Sequence, residues 1–161
     1  MGLGMWLERS VFVGGMYDKP ENIKVDGEHK TTLHLDVDKH HIEIDLTKIG
    51  SIREEIAYWH GANAIHDWFI ENCANGDTVC SEMYVSKEQL IELRSLCKEI
   101  LDTPEDKRDD VAADLLSPCW GFLFGSQEID DYYYENLRYT VDVLKDIEDD
   151  DADSYYYSCS W

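Results

Sequence analysis

Basic residues are scarce in this sequence. Its 161 residues include 14 Lys and Arg against 35 Asp and Glu, which gives a formal net charge of −21 at pH 7. A field of that sign repels nucleic acid and anionic membranes and attracts basic surfaces. We therefore predict no direct nucleic-acid or membrane binding, and we expect a basic protein as the partner. Ordinary solubility and an origin in a salt-rich environment are alternative explanations of the charge.

The common catalytic signatures are also missing. The chain has no phosphate-binding loop, zinc-finger spacing, nucleophile elbow or nucleic-acid-binding motif, so we predict no catalytic residue and favour a non-enzymatic role. Five cysteines are scattered without a Cys-x-x-Cys pair, and we expect them to be reduced and mostly buried. Because no apolar run reaches the length of a membrane span and no signal-peptide pattern is present, we predict a cytoplasmic protein.

Apolar and aromatic residues are plentiful. The sequence is 43% hydrophobic and holds five Trp, ten Tyr and four Phe, enough for a packed core rather than a disordered acidic tail. The length is typical of one domain, so we predict that residues 1–161 form a single compact α+β domain. An acidic link near residues 148–153 precedes its C-terminal strand, and the oligomeric state stays open.

The periodicity of apolar residues predicts an α+β fold. Period-two alternation indicates strands over 5–13, 31–37, 42–46 and 155–161, and an apolar stretch indicates another over 119–125, with a short one possible within 78–85. Helical spacing indicates helices over 52–72, 86–101, 105–116 and 128–146, with a capping box at Ser86 and Gln89 and N-caps at Thr103 and Ser126. This order predicts a mainly antiparallel sheet with three to four helices packed on one face.

The candidate metal ligands lie on the predicted hairpin of residues 31–46. A four-residue turn over 38–41 pairs Val37 with Ile42 and places His34 opposite Asp45 and Asp36 opposite Glu43. One imidazole and three carboxylates on a rigid hairpin are ligands for a hard divalent cation. The alternative is a solvated outer face on a very acidic protein. No other cofactor is predicted.

The predicted helix 52–72 carries the densest polar and aromatic chemistry of the chain. Ser51-Ile-Arg-Glu54 reads as its capping box. Asn63 and His66 fall within the apolar arc of this helix, next to Trp59. One interpretation is a buried polar pair that is satisfied inside the protein. The other is a ligand pocket in which Trp59 and Trp120 stack on the ligand and Asn63 and His66 bind it.

Two carboxylate clusters form the candidate interaction surface. The first opens the last predicted helix and the second follows that helix. Many charge contacts of this kind can sum to a tight, salt-sensitive association with a basic surface. The residues of this predicted surface are Asp130, Asp131, Glu135, Glu148, Asp149, Asp150 and Asp151.

The chain also resembles a family of small uncharacterised proteins from phages and bacterial genomes. The resemblance covers most of the chain and rests on residues 1–7, 84–90 and 121–126, on the aromatic C terminus, and above all on Tyr58-Trp-His-Gly-Ala-Asn-Ala-Ile-His-Asp-Trp-Phe69. It implies no activity that can be transferred. It does imply a phage accessory protein that counters a host defence system and acts in the host cytoplasm.

These observations lead to three functional hypotheses. The first is an acidic, non-enzymatic inhibitor that occupies a basic surface of a host protein. The second is a small-molecule binder, for instance of a nucleotide signal, built around Trp59, Asn63 and His66. The third is a metal-dependent hydrolase that uses the hairpin ligands or the histidines of the predicted helix.

Overall fold

The computed structural model describes residues 2–13, 24–25, 28–29, 32–37, 40–74, 82–119 and 128–160. The strands are β1 (Gly4–Phe12), β2 (Lys24–Val25), β3 (Glu28–His29), β4 (Thr32–Val37), β5 (His40–Asp45), β6 (Ser51–His60), β7 (Met83–Val85) and β8 (Ser154–Ser160). The helices are α1 (Asn63–Cys73), α2 (Lys87–Asp102), α3 (Glu105–Leu115) and α4 (Asp131–Val143). Two 3₁₀ turns, Leu46–Lys48 and Ile147–Asp149, complete the described elements.

The chain packs as two compact units. One contains Met1–Arg9 and Glu54–Trp161, and the other contains Ser10–Arg53. The prediction of one domain over residues 1–161 stays a prediction, because the compactness of each unit does not decide whether the two fold independently.

A four-stranded antiparallel sheet in the order β6-β1-β8-β7 confirms the predicted α+β class. The C-terminal strand β8 lies inside this sheet, as its aromatic alternation predicts. Tyr155, Tyr157 and Cys159 are buried on one face of β8, and Tyr155 and Tyr157 are opposite Val85 and Met83 of β7. The predicted strand over 119–125 falls almost entirely outside the described residues.

The predicted helix 52–72 is wrong over its first half. Ser51–His60 forms strand β6, and the helix begins only at Asn63. Near its end β6 follows a strand's period of two, because Ala57 and Trp59 are buried while Tyr58 and His60 are exposed. Pairing with β1 in the sheet outweighs the apparent capping box at Ser51, since tertiary contacts routinely override local propensity.

A glycine separates β6 from α1. Gly61 has φ +65°, a left-handed backbone conformation that costs a side-chain-bearing residue free energy. The N–H of Gly61 donates to the carbonyl of Leu3 at 2.8 Å, so the turn is fixed to the start of the sheet. The twelve-residue block from Tyr58 to Phe69 is therefore strand, turn and helix in succession.

Two tyrosines of α4 cover the outer edge of β6. The hydroxyl of Tyr139 accepts a hydrogen bond from the backbone N–H of Tyr58 at 3.1 Å. The hydroxyl of Tyr132 donates to the carbonyl of His60. Because the two tyrosines lie seven residues apart on one side of the helix, they reach backbone groups of two alternate residues of the edge strand.

The hairpin β4–β5 forms as predicted, but in a register shifted by two residues. Val37 pairs with His40, His34 with Glu43, and Asp36 with His41. The predicted pairs His34–Asp45 and Asp36–Glu43 are therefore wrong. Two residues rather than four separate the strands, in keeping with the preference of hairpins for short connections. In this register two carboxylates are opposite imidazoles, and the predicted facing pair of carboxylates does not occur.

The helix termini agree with the predicted capping at one place and differ at two. Ser86 and Gln89 form the predicted capping box of α2. Helix α3 has Pro104, not Thr103, at its N-cap. Helix α4 is capped by Asp130, whose side chain accepts a hydrogen bond from Tyr133 N–H at 2.9 Å. The predicted cap at Ser126 lies outside the described residues.

Candidate functional site

The predicted ligand-binding residues of α1 and β6 are buried. Trp59, Asn63 and His66 have 1%, 4% and 2% of their surface exposed. All three border the turn at Gly61, with Trp59 on the strand and the two polar residues on the helix. Trp120 lies outside the described residues, so its place in this group stays a prediction.

His66 is held by a tyrosine of the central sheet. Its Nδ1 and the hydroxyl of Tyr157 share a hydrogen bond of 2.7 Å. Phe69 stacks on the ring of Tyr157 with centroids 4.1 Å apart. Burial lowers the pKa of His66 to about 4 and raises the pKa of Tyr157, because both charged forms lose their hydration. Both groups are therefore neutral at pH 7.

Trp59 is satisfied within the core as well. Its Nε1 donates to the hydroxyl of Thr140 on α4 at 3.0 Å. Its ring lies against Phe69 and Tyr139, with centroids 6.0 Å and 5.9 Å away. A tryptophan enclosed on these sides by protein aromatics does not present a face on which a ligand can stack.

A small cavity opens where α1 and α4 begin. Asn63 contributes to its lining, but its volume is only about 20 Å³, room for a water molecule rather than for a nucleotide. Glu128 and Asp130 also line it, and their carboxylates disfavour an anionic ligand. The geometry at α1 thus agrees with the interpretation of Asn63 and His66 as an internally satisfied polar pair.

The predicted acidic surface divides into two groups of carboxylates. Three of its members make contacts within the protein. Asp130 caps α4, and Glu148 accepts hydrogen bonds from both terminal nitrogens of Arg94 at 2.9 and 2.5 Å. Asp150 accepts a hydrogen bond from Arg9 at 3.1 Å. The guanidinium of Arg94 lowers the pKa of Glu148. These three carboxylates stabilise the structure.

The other four carboxylates of that surface face solvent. Within the described part of the chain none of them has an ion-pair partner, and all are exposed. They are Asp131, Glu135, Asp149 and Asp151.

Three cations anchor the acidic segment that follows α4. Besides its pair with Glu148, Arg94 donates to the carbonyls of Leu144 and Lys145 at 3.3 and 2.8 Å. The ammonium of Lys87 donates to the carbonyls of Glu148 and Asp150 at 3.0 and 2.6 Å. Together with Arg9 these contacts fix the backbone of the segment, so its free carboxylates project from an ordered frame.

A groove runs along this anchored segment. Its volume is about 340 Å³, which lies in the size range of binding sites in proteins. The acidic run of the sequence contains Asp149 and Asp150, but the sequence does not show that Arg9 and Ile56 lie beside them, because these two residues are distant along the chain. The lining residues are Arg9, Ile56, Val143, Asp146, Ile147, Asp149 and Asp150.

The candidate metal ligands of the hairpin are described only in part. Asp45 lies 3.4 Å from Lys48 in an ion pair, and Glu43 is exposed. The side chains of His34 and Asp36 lie outside the described residues. Among the side chains that are described, no group of three or more His, Cys, Asp and Glu could hold a metal ion. A divalent cation at the hairpin stays a prediction.

The described cysteines are poor nucleophiles. Cys73, Cys97 and Cys119 are free thiols, and burial raises their pKa values to about 11, 12 and 11. They are therefore protonated at pH 7, and the thiolate is the reactive form. Cys159 is in a disulfide bond, so the expectation that all five cysteines are reduced is wrong for this residue.

Comparison with protein-family models, with curated proteins and with solved structures finds no match for this chain. Among the described helices none combines the length and the apolar character that crossing a membrane requires.

Proposed function

We propose that this protein is an acidic, non-enzymatic binding protein that occupies a basic surface of a partner protein. The observation that carries the proposal is the division of the predicted acidic surface. Asp131, Glu135, Asp149 and Asp151 are exposed and have no ion-pair partner within the described residues. Carboxylates that the fold does not use are available for contacts between molecules, where complementary charge gives specificity and a fast association rate.

The ordered frame around these carboxylates supports the same conclusion. Arg94 and Lys87 fix the backbone of residues 144–150, so binding does not require the segment to be ordered first. Preorganisation of this kind lowers the entropic cost of association. The phage and counter-defence setting rests on the family resemblance, and under it the partner is a host defence protein with a basic surface.

The proposal is tested by the salt dependence of a purified complex. The full chain serves as bait for host lysate in about 0.1 M and about 1 M NaCl, between which the Debye length falls from about 10 Å to about 3 Å. A captured basic protein is then purified and its affinity measured at both salt concentrations. An affinity that does not change with salt would contradict the proposal.

Matched charge variants complete the test. One variant neutralises the four open carboxylates through Asp131→Asn, Glu135→Gln, Asp149→Asn and Asp151→Asn. A control makes the same change in net charge on α2 through Glu88→Gln, Glu92→Gln, Glu99→Gln and Asp102→Asn, all at exposed positions. We expect the first variant to lose binding and the control to retain it. Equal losses would show that net charge, not this surface, drives association.

The second hypothesis, a small-molecule binder at α1, has less support. Of its described residues only Asn63 reaches the small cavity there, and carboxylates line the same cavity. A nucleotide panel tested by thermal shift checks it: stabilisation by a nucleotide that is lost in Asn63→Ala would revive the hypothesis.

A further inference from the structure

A row of aromatic side chains crosses the face of the four-stranded sheet that lies opposite the core. The two neighbours of each ring along its strand are buried, as Met83 and Val85 are on either side of Tyr84, so the ring itself points away from the core. Because the strands lie in the order β6-β1-β8-β7, the rings follow one another on four adjacent strands. The aromatic row consists of Tyr58, Trp6, Tyr156 and Tyr84.

The rings of the aromatic row contact one another in pairs. The centroids of Trp6 and Tyr58 are 5.4 Å apart. Tyr84 is opposite Tyr156 in the register of β7 and β8, and their centroids are 6.3 Å apart. Tyr58 and Tyr84, at the two ends of the row, are 43% and 58% exposed. The row is therefore open to solvent, and its rings are supported by their neighbours before a ligand arrives, which lowers the entropic cost of binding.

Two glycines at the start of the chain allow rings to lie close to this face. A Cβ added at Gly4 would lie 2.7 Å from the indole of Trp6, and one added at Gly2 would lie 2.6 Å from the imidazole of His60. Both distances are shorter than carbon atoms tolerate, so a side chain at either glycine would displace the ring above it. The sequence of this segment thus fixes where the indole of the row lies.

The face around the row carries little charge. Apart from the rings, its positions on β1, β7 and β8 within the unit of Met1–Arg9 and Glu54–Trp161 are Gly4, Glu8, Ser154, Ser158 and Ser160. Glu8 is the one carboxylate among these described positions, although the whole chain has a net charge of −21. Depletion of charge together with enrichment in Tyr and Trp is typical of the centre of a protein–protein interface.

The charge of the chain favours one kind of occupant. The bases of a nucleic acid could stack on the rings, but its phosphates are repelled by the field of the protein. An uncharged ring gains the stacking alone. The guanidinium of arginine gains both stacking and attraction to the field, because it is planar, weakly hydrated and drawn to the electron-rich faces of aromatic rings. The ammonium of lysine has the same charge but is more strongly hydrated.

The aromatic row lies within reach of the acidic segment that follows α4. Strand β8 begins shortly after that segment, and Asp151 and Tyr156 are five residues apart, which corresponds to at most about 18 Å. A standard interface covers about 800 Å² on each partner, a patch that is wider than this separation. One partner surface can therefore contact the open carboxylates and the rings together.

We propose that the aromatic row binds arginine side chains of the basic partner protein. Their guanidinium groups stack on the four rings, while the surrounding acidic surface supplies the long-range attraction. The inference rests on the proposed function and adds to it the uncharged centre of the interface and the residue type that this centre selects.

The test uses the full chain and fluorescent octaarginine and octalysine peptides, with binding followed by anisotropy in about 0.1 M NaCl. Tyr58→Leu combined with Tyr84→Leu is expected to weaken octaarginine binding about tenfold, because each lost cation–π contact at an exposed site corresponds to a factor of about two to five. Octalysine binding is expected to weaken less than about threefold. An unchanged affinity for octaarginine, or equal weakening for the two peptides, would overturn the inference.

A matched variant separates the ring faces from the hydroxyls. Tyr58→Phe combined with Tyr84→Phe keeps both faces and is expected to retain octaarginine binding within about twofold. Both side chains are exposed, and circular dichroism with urea unfolding verifies that each pair of substitutions leaves the fold intact. A loss in the Phe pair as large as that in the Leu pair would assign binding to the hydroxyls and overturn stacking.

The outcomes also separate this inference from the proposed function. The variant that neutralises the four open carboxylates is expected to weaken octaarginine and octalysine alike, since it changes charge alone. A basic partner from lysate whose affinity is the same for the Leu pair and the unaltered chain would overturn the aromatic row and leave the acidic binding function standing. Failure of both peptides to bind, together with no basic partner from lysate, would overturn both.

Two further measurements test other occupants of the face. Binding of cellohexaose that is lost in the Leu pair would identify a neutral sugar as the ligand and overturn arginine. Sedimentation of the unaltered chain as a dimer, and of the Leu pair as a monomer, would make a second copy of the chain the occupant and would also overturn the inference.

Discussion

The polar and aromatic residues around the start of α1 differ from the carboxylates of residues 146–151 in where they find their partners. His66 and Trp59 each find a hydrogen-bond partner inside the protein, at Tyr157 and Thr140. Asp149 and Asp151 stay in solvent without an ion pair among the described residues. In this chain a dense set of polar and aromatic side chains belongs to the core, and an anchored segment keeps unpaired charge at the surface.

The largest effect that this contrast predicts is on a core aromatic. Trp59→Ala is expected to lower the free energy of unfolding by about 3–5 kcal/mol, because it opens a cavity and leaves the hydroxyl of Thr140 without its donor. Urea unfolding followed by circular dichroism measures the change. Tyr84→Ala, at a residue that is 58% exposed, is the control and is expected to cost less than about 1 kcal/mol. Similar losses in the two variants would contradict a closed core at Trp59.

The next effect is a pH dependence that arises from His66. Its pKa is about 4 in the folded protein against 6.5 for the free side chain, so the unfolded chain binds the extra proton first. The stabilisation is complete above pH 6.5 and is lost as the pH falls towards 4, by about 3 kcal/mol in total.

The measurement is the free energy of unfolding across that pH range. His66→Gln should flatten the curve relative to the unaltered chain, and His60→Gln, at an exposed residue, should leave it unchanged. A slope that persists in His66→Gln would assign the pH dependence to other groups.

Two tyrosines of β8 give a pair of smaller effects of unequal size. Tyr157→Phe is expected to cost about 1–3 kcal/mol, because His66 loses its partner in the core. Tyr155→Phe is expected to cost less than about 1 kcal/mol, because the hydroxyl of Tyr155 faces the carboxylate of Asp150 without a well-aligned hydrogen bond. Thermal and urea unfolding of both variants test the pair. Equal destabilisation would place the two hydroxyls in the same kind of environment.

The smallest effect is expected at the open carboxylates. Asp149→Asn should change the stability by less than about 0.5 kcal/mol. Asp150→Asn should cost more, because Asp150 accepts from Arg9 and from the N–H of Ala152 at 3.1 and 2.9 Å. Urea midpoints measured side by side decide between them. A larger loss for Asp149→Asn would mean that this residue also has a structural role.

Local patterns predict the elements whose structure is decided locally. The capping box at Ser86, the alternation of Tyr155 and Tyr157, and the α+β class are all confirmed. The segment Ser51–His60 is not predicted, because its strand depends on pairing with β1, about fifty residues away in the chain. The hairpin register is missed for a related reason: alternation fixes which face a residue takes, and a shift of two residues preserves every face.

The candidate site follows the same division. The acidic run after α4 is visible in the sequence, and it directs attention to Asp149 and Asp150. The sequence cannot show that Arg9 and Ile56 meet this run, since that juxtaposition depends on the order of strands in the sheet. Nor can it show which carboxylates are already paired, because Arg94 reaches Glu148 from another helix.

The two α4 tyrosines that bind the backbone of β6 have a consequence for self-assembly. An exposed sheet edge offers unpaired N–H and carbonyl groups on which a second chain can add a strand, the first step of fibril elongation. Tyr139 and Tyr132 engage the N–H of Tyr58 and the carbonyl of His60, so a strand arriving there must first displace two side-chain hydrogen bonds. Replacing both tyrosines with phenylalanine should therefore shorten the lag time of fibril formation, as followed by thioflavin fluorescence in concentrated solutions.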